Sequence, residues 1–509
     1  MSFSYFSTRW FVVAAGLAGA FAACSDDSDT TTSGSPTGGT AGAGGVDFTT
    51  VTSTSSGGGA GGAGGGIPVC NGTPTEGTFA FASRFGDAGD QSGAAVTVDK
   101  DGNVIITGAF QGTVDFGGGN LTSAGDVDIF IAKFSATGAH LWSQRYGGTQ
   151  GQVSTAIATD AVGNVYVTGS FLGPLDFGGT PFNNTALFQD IFLAKLDTNG
   201  AHVWSKSFVG GINQEETARG LAISPAGNVA IVGDYQGSVP TGSVDFGGGE
   251  LPVPEGIDLF VAEFDTTGAH VRSKSFGDVG DQFGHGIAYD AQGNVLVTGD
   301  AQGTVDFGGG PKMAQGDPSA FVAKLSAGGE HVYSFSFGDG ASSGVSITAT
   351  SDGGAVVTGD FQGSIDFGGG SLESPSNDDV FVARLDAQGG HVWSHRFGDE
   401  LAQHARGVAV DGSGNVLLTG YNGGTMTFGE TVLPKAVVFD AYAAKLDSEG
   451  CSIWAKSFGG AAYQSGDGVA VDGSGNVFVT GKFTGTVDFG GGDLVSAGGT
   501  DIFLTKFGP

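Results

Sequence analysis

The stretch Gly163-Asn164-Val165-Tyr166-Val167-Thr168-Gly169 recurs, with small changes, six more times along the 509-residue chain. The other copies occupy residues 102–108, 227–233, 293–299, 353–359, 414–420 and 475–481. The second residue of each copy, which serves below as a marker, follows the previous marker by 60 to 66 residues. This period is too long for a solenoid turn, and with four short strand signals in each unit it is typical of a β-propeller blade.

The second unit shows the four strands most clearly, because apolar alternation is interrupted by turn residues. Strand a contains 156–159, strand b 164–171, strand c 190–196 and strand d 202–208. Seven residues before every marker stands an aliphatic residue, and the next residue is small. Innermost strands crowd around a channel, so one face must be small while the other packs outward. All seven units meet this requirement.

The two ends of the repeat array complement each other. The last unit stops after its strand c, at 501–507, and lacks a strand d. Residues 79–86 align with strand d and precede the first unit. We therefore predict an all-β fold, a seven-bladed β-propeller of four-stranded blades over residues 78–509. The N-terminal strand should pair with the C-terminal blade, and this closure removes exposed strand edges.

The repeated units resemble the bacterial SBBP-type β-propeller repeat. The Asp-x-x-Gly-Asn-x-Tyr-x-Thr-Gly motif of that family corresponds to residues 160–169, and its Asp-x-Phe-x-Ala-Lys strand to residues 190–195. Gly354, Ser319 and Glu263 depart from the pattern. The resemblance covers residues 79–508 and implies an exported or cell-surface protein. It implies no particular chemistry, because most proteins with these repeats have no known activity.

The N-terminal residues predict export. Residues 1–23 contain Arg9 and then an apolar run that is too short to span a bilayer comfortably, as in a secretory signal peptide. The run ends in Phe21-Ala22-Ala23-Cys24, which resembles a bacterial lipobox, so we expect Cys24 to be lipidated. Residues 24–77 then form a Gly/Ser/Thr-rich tether with too few apolar side chains to fold. The predicted location is the cell envelope, as an outer-membrane or cell-surface lipoprotein held by its lipid anchor. The protein is secreted instead if Cys24 is not lipidated.

Charge excludes some partners. The chain has 20 basic and 52 acidic residues, a formal net charge of −32. Nucleic-acid binding requires a basic surface, so it is not expected, and so acidic a surface favours a soluble monomer. The turn Asp99-Lys100-Asp101-Gly102-Asn103 resembles a metal loop but lacks the bidentate Glu of an EF-hand. We interpret it as a hairpin turn in which Asp and Asn bond the backbone. We expect no cofactor, and calcium is the only ion whose binding is left open.

Five histidines, one in each of five successive units, open strand d: His140, His202, His270, His331 and His391. They stand on separate blades and are too far apart to share a metal. We expect them to serve packing or hydrogen bonding.

The candidate binding site lies where the repetition fails. Nine residues before the markers stand Ala94, Thr155, Arg219, His285, Val345, Arg406 and Asp467. These positions should lie where strand a begins, near the channel mouth, and convergent polar groups in a concavity are the default ligand site. The predicted ligand-binding residues are Arg219, His285, Arg406, Asp467, His404 and Glu216. No catalytic residue and no metal ligand is assigned.

The remaining cysteines, Cys70 and Cys451, stand in an oxidising compartment if export is correct. Cys451 opens the outer strand of the sixth blade, and Cys70 precedes the N-terminal strand of the adjacent seventh blade. We predict a disulfide between them that fastens the closing strand.

Three functions are compatible with these features. The first is a surface lipoprotein whose non-catalytic propeller binds a glycan or a protein on its loop-rich face. The second is an exported polysaccharide hydrolase or lyase at the channel mouth, for which position alone suggests the carboxylates Glu215, Glu216, Asp281, Glu400 and Asp467. The third is a calcium-dependent adhesion or structural protein of the cell envelope.

Overall fold

The structure, a computed structural model, describes residues 77–185, 187–210, 214–237 and 243–509. The predicted signal peptide, Cys24, the tether and Cys70 lie outside these residues. The described part is all-β, with no helix and therefore none that could span a membrane.

Seven antiparallel four-stranded sheets make up the fold, and each sheet is ordered a-b-c-d from the channel outward. The a strands are Gln91–Val98, Gln152–Thr159, Glu216–Ile223, Gln282–Tyr289, Ser342–Ala349, Gln403–Val410 and Gln464–Val471. The b strands are Val104–Phe110, Val165–Phe171, Val229–Tyr235, Val295–Ala301, Ala355–Asp366, Val416–Asn422 and Val477–Phe483. The c strands are Asp128–Phe134, Asp190–Leu196, Asp258–Phe264, Ser319–Leu325, Ser371–Leu385, Asp440–Leu446 and Asp501–Phe507. The d strands, in blade order, are His140–Tyr146, His202–Phe208, His270–Phe276, His331–Phe337, His391–Phe397, Ser452–Phe458 and Phe79–Phe85.

The ring is closed as predicted. Each strand a contacts strand a of the next blade, and that of blade 7 contacts that of blade 1. In blade 7, Phe79–Phe85 pairs antiparallel with Asp501–Phe507. An ion pair of 2.5 Å between Arg84 and Asp501 reinforces this closure. The N-terminal strand therefore completes the last blade.

Short hairpins extend the b–c connections, and each places an aromatic ring between blades. Their strands are Thr113–Asp115 with Asn120–Thr122, Gly173–Leu175 with Phe182–Asn184, Thr304–Val305 with Lys312–Met313, Met426–Phe428 with Thr431–Leu433, and Thr486–Asp488 with Asp493–Val495. In blade 1 the Asp115 carboxylate accepts the N–H groups of Gly117 (2.7 Å) and Gly119 (3.0 Å). The Phe116 ring then lies 5.0 Å from Phe85 of blade 7 and 4.8 Å from Phe130 of blade 1, between centroids. Burying such a ring is worth about 1.5–3 kcal/mol, so these hairpins hold adjacent blades together.

The a–b turns bond their own backbone, which confirms the predicted hairpin turn. Asp99 accepts the N–H groups of Asp101 and Asn103, each at 2.9 Å, and its second oxygen lies 2.8 Å from Lys133 Nζ. Burial would raise the pKa of Asp99, but the hydrogen bonds from Lys133 and Asn103 outweigh burial and hold it below its ordinary value. Within the described ranges, no group of three or more His, Cys, Asp or Glu could hold a metal ion.

The strand-d histidines are hydrogen-bonding elements, as expected. His140 Nε2 lies 3.0 Å from Ser143 Oγ. The same contact, at 3.0 or 3.1 Å, recurs in His202–Ser205, His270–Ser273, His331–Ser334 and His391–Ser394. These histidines therefore belong to the repeated framework.

Candidate functional site at the channel mouth

A β-bulge interrupts strand a at the same place in every blade. In blade 1, Gly93 pairs with Gly108 and Ala95 with Thr107, so Ala94 has no partner on strand b. The other bulged residues are Thr155, Arg219, His285, Val345, Arg406 and Asp467. A bulge re-aims its side chain relative to its neighbours on the strand. The positions chosen from sequence are therefore one structural device, repeated seven times on the face of the d–a and b–c loops.

In blades 3 and 4 the bulged side chains bind carboxylates on strand b. The Arg219 guanidinium pairs with Asp234, and His285 Nε2 lies 2.7 Å from Asp300 Oδ1. Burial lowers the pKa of Arg219, but the Asp234 carboxylate reverses this effect and holds the pKa above its ordinary value. The guanidinium carbon also lies 5.8 Å from the centroid of the Phe283 ring, so this pair reaches the next blade.

The network crosses from blade 4 to blade 6 through two aspartates. Ser343 Oγ donates to Asp300 at 2.7 Å. Asp360 accepts the Ala405 N–H at 2.7 Å and lies 2.9 Å from His404 Nδ1. Burial lowers the pKa of His404, but the Asp360 carboxylate outweighs burial and raises that pKa above its ordinary value. His404 is thereby favoured in its charged form.

Aromatic contacts continue the network into blades 6 and 7. Arg406 donates from Nη2 to the Tyr421 hydroxyl at 2.9 Å, and its guanidinium carbon lies 4.9 Å from the centroid of the Tyr421 ring. Asp467 accepts a hydrogen bond of 2.6 Å from Ser465. Burial raises the pKa of Asp467, whereas the nearby Lys482 opposes the rise.

The strand-b partners were missed in the sequence, although a signal for them exists. They stand six residues after each marker, so the differences between units at this position are the signal that identifies them. The residues at this position are Ala109, Ser170, Asp234, Asp300, Asp360, Tyr421 and Lys482. Blades 1 and 2 thus carry small side chains, and blades 3 to 7 carry charged or aromatic ones. We call the following set the mouth cluster: Arg219, Asp234, His285, Asp300, Asp360, His404, Arg406, Tyr421, Asp467 and Lys482.

Glu216 lies apart from the mouth cluster, although the sequence grouped it there. Five other blades begin strand a with Gln; in blade 4, Gln282 accepts the Asp278 N–H (3.2 Å) and donates to the Gln302 carbonyl (2.8 Å). The Glu216 side chain is fully buried at the junction with blade 2, and in the part of the chain that the structure describes no side chain donates a hydrogen bond to its carboxylate. Burial, followed by the charge of Asp190, raises the pKa of Glu216 to about 8.

The carboxylates considered for catalysis are spread over four blades. Glu215, Asp281 and Glu400 lie in the d–a loops of different blades. Within the mouth cluster, the carboxylates of Asp234, Asp300 and Asp360 are each paired with a base.

A groove of about 680 Å³ lies outside the mouth, between strand d of blade 7 and blade 1. Three of its polar side chains already have partners. Arg84 binds Asp501, His140 binds Ser143, and Asp115 holds the hairpin turn. The mouth cluster is therefore the better candidate. Cys451 is buried at the c–d turn of blade 6, and its predicted partner Cys70 lies outside the described residues.

Comparison with known proteins supports the architecture. Residues 141–170 match the family model described as SBBP, a beta-propeller repeat. This chain therefore carries an SBBP-type repeat within a seven-bladed β-propeller, as the sequence predicted.

Two curated proteins share sequence with much of the chain. An uncharacterized WD repeat-containing protein of Acanthamoeba polyphaga mimivirus is 22% identical over 492 residues, which cover 82% of this chain and 32% of the relative. The regulatory protein FlaEY of Caulobacter vibrioides is 27% identical over 384 residues, which cover 70% of this chain and 39% of the relative. The chain thus spans well under half the length of either relative.

Solved structures give more distant matches. Polysaccharide lyase Uly1 matches with a TM-score of 0.42 and 10% identity, covering 82% of this chain and 90% of the lyase. Sqt1 from Chaetomium thermophilum matches with a TM-score of 0.40 and 11% identity, covering 85% and 99%. Neither similarity bears on activity.

Proposed function

We propose that this propeller is a non-catalytic binding module that takes a glycan at its channel mouth. One observation carries the proposal: blades 3 to 7 all place a charged or aromatic side chain at the strand-b position, and four of them also place a charged or ionisable side chain at the bulge, whereas blades 1 and 2 carry small residues at both positions. A scaffold that only had to close a ring would not need this asymmetry.

The chemistry of the mouth cluster suits sugar hydroxyls and ring faces. Carboxylates accept from hydroxyl groups, guanidinium and imidazole groups donate to them, and tyrosine rings offer apolar faces. The ion pairs also fix the side chains before a ligand arrives, which lowers the ordering cost of binding. The pairing of Asp234, Asp300 and Asp360 with bases argues against a hydrolase, which needs two carboxylates flanking one bond.

A panel of glycans displayed on an array tests this proposal with the full mature chain. We expect binding that the triple variant Arg219→Gln, His285→Gln, Arg406→Gln loses. A matched control is Arg272→Gln, which removes another arginine–carboxylate pair from the outer strand of blade 3. Both variants should remain folded at the temperature of the assay, which their melting curves would verify.

Survival of the binding signals in the triple variant would overturn the placement of the site. Shorter products or unsaturated ends after incubation with polysaccharide would instead support the hydrolase or lyase alternative.

We further propose that the protein acts as a monomeric lipoprotein of the cell envelope, without nucleic-acid partners. Strand d of blade 7 starts at Phe79 on the face opposite the mouth, because strands a to d alternate in direction. A tether entering there would leave the mouth facing away from the membrane. In a bacterial host, Cys24→Ser should move the protein from the membrane fraction to the soluble fraction. Unchanged membrane retention in that variant would contradict lipid anchoring at Cys24.

A further inference from the structure

Three half-buried aromatic side chains stand beside Arg406 at the rim of blades 6 and 7. The ring centroids of Tyr421, Phe439 and Tyr463 lie 5.2 to 6.2 Å apart. In the other blades, the positions equivalent to Phe439 and Tyr463 carry no aromatic residue. The repeat framework therefore does not require this trio, and half-exposed aromatic rings are typical of surfaces that bind a ligand.

Arg406 differs from Arg219 in what it contacts. Its Nη1 donates to the Ala405 carbonyl at 3.1 Å and its Nη2 to the Tyr421 hydroxyl at 2.9 Å. Both acceptors are uncharged. Within the described ranges, no carboxylate oxygen lies within ion-pairing distance of this guanidinium, whereas Arg219 is paired with Asp234. Burial lowers the pKa of Arg406, but Tyr421 and then the more distant carboxylates of Asp360 and Asp467 more than offset burial and hold the pKa above its ordinary value.

In blades 3 and 4, the acidic member of each pair in the mouth cluster lies deeper than its basic partner. The side chain of Arg219 is 36% exposed and that of its partner Asp234 only 9%. For His285 and Asp300 the exposed fractions are 24% and 10%. At these two blades the surface that a ligand meets is therefore richer in donors and positive charge than the composition of the cluster suggests, although the whole chain has a net charge of −32; His404 and Asp360 are about equally exposed, at 19% and 16%.

We propose that Arg406 and the aromatic trio form an anchoring subsite for an acidic sugar, a uronate whose carboxylate binds the guanidinium while its ring packs on the trio. Arginine is suited to this role because its planar N–H groups match carboxylate geometry. The inference rests on the proposed glycan function and narrows it to glycans that carry carboxylates.

Calorimetric titration of the full mature chain tests the inference, with uronate oligosaccharides (galacturonate, glucuronate and mannuronate) and their carboxyl-methylated counterparts as probes. Methylation removes the charge and keeps the sugar backbone. We expect at least one acidic oligosaccharide to bind about 10- to 100-fold more tightly than its ester, as for loss of a charge-assisted hydrogen bond. Arg406→Gln should abolish this preference. The same substitution at the equivalent bulge of blade 3, Arg219→Gln, should weaken the acid and the ester alike.

The other possible results distinguish failure of the uronate inference from failure of the proposed glycan function. If the esters or other neutral glycans bind as tightly as the acids, the uronate inference is wrong and the glycan function stands. If the acids are preferred and Arg406→Gln keeps the preference, the subsite is misplaced. If no glycan of either kind binds to the folded protein, the proposed function itself is refuted.

Discussion

Replacing Glu216 with Gln is expected to stabilise the protein above pH 8 and to change little near pH 4. Glu216 is fully buried, and within the described residues no side chain donates a hydrogen bond to its carboxylate, although the Gly210 backbone N–H partly offsets the effect of burial. Gln fills the equivalent position in five blades, and in blades 1, 2, 4 and 6 its side chain both accepts and donates hydrogen bonds. In blade 3 the Gln236 carbonyl, which corresponds to that of Gln302 in blade 4, is placed to accept from the new amide.

The size of the expected stabilisation follows from the pKa of Glu216. Burial, then Asp190 and Glu215, raises it from 4.5 to about 8. Because the folded-state pKa lies above the unfolded value, the stability linked to protonation is present below about pH 4.5 and is lost as pH rises through about 8. A rise of roughly 3.5 units at about 1.4 kcal/mol per unit sets an upper bound of ~5 kcal/mol. Asp190, whose pKa burial raises to about 6, titrates nearby, so we expect a difference of roughly 2–4 kcal/mol.

Urea unfolding at intervals from pH 4.5 to 9 measures this difference. The free-energy difference between Glu216→Gln and the wild type should grow from pH 4.5 to about pH 8 and then level off. The reverse substitution in blade 4, Gln282→Glu, places a carboxyl beside the buried Asp258 and should produce the opposite trend. Parallel pH profiles for the wild type and Glu216→Gln would refute the reasoning, since they would show that burial does not perturb this carboxyl.

Three further predictions concern other parts of the ring. Because the pKa of His404 is raised in the folded state, the stability that His404 contributes is fully present below about pH 6.5 and is lost as pH rises through the folded-state pKa. The difference in unfolding free energy between the wild type and His404→Gln should therefore shrink from pH 5.5 to 8.5. A constant difference would contradict the pairing with Asp360. Glu263→Lys should lower the free energy of unfolding by about 3–5 kcal/mol in urea, because it leaves Arg272 facing a second cation. Adding Arg272→Trp should recover part of this loss. An unchanged stability of Glu263→Lys would show that the ion pair is dispensable. Cys451→Ser should lower the melting temperature of the unreduced protein and abolish its response to reductant, whereas labelling of both thiols in the native, unreduced wild type would rule out the predicted disulfide.

The fold could be predicted because its determinants are local and repeated. Alternation marks the strands, Asp and Gly mark the turns, and the register between units places every strand in its blade. The closing strand Phe79–Phe85 was recognised because the last unit lacked it. These features depend on residues a few positions apart, so a single copy of the repeat nearly specifies a blade.

The candidate site was only half visible in the sequence. Comparison between units identified the bulged residues, including Arg219, His285 and Arg406, because they break the pattern. What they bind depends on pairings across a sheet or between blades. Arg219 meets Asp234 15 residues later, and His404 meets Asp360 44 residues earlier in the preceding blade.

Glu216 also shows that the sequence alone does not give the direction of a side chain. Its place beside polar residues in the sequence suggested the channel mouth, but residue-by-residue alternation in strand a turns its side chain into the junction with blade 2. The sequence by itself determined the ring, its closure and the positions at which blades differ. Only the tertiary structure decided which of these positions face the channel together, because the β-bulge and the packing of one blade on the next set the direction of each side chain.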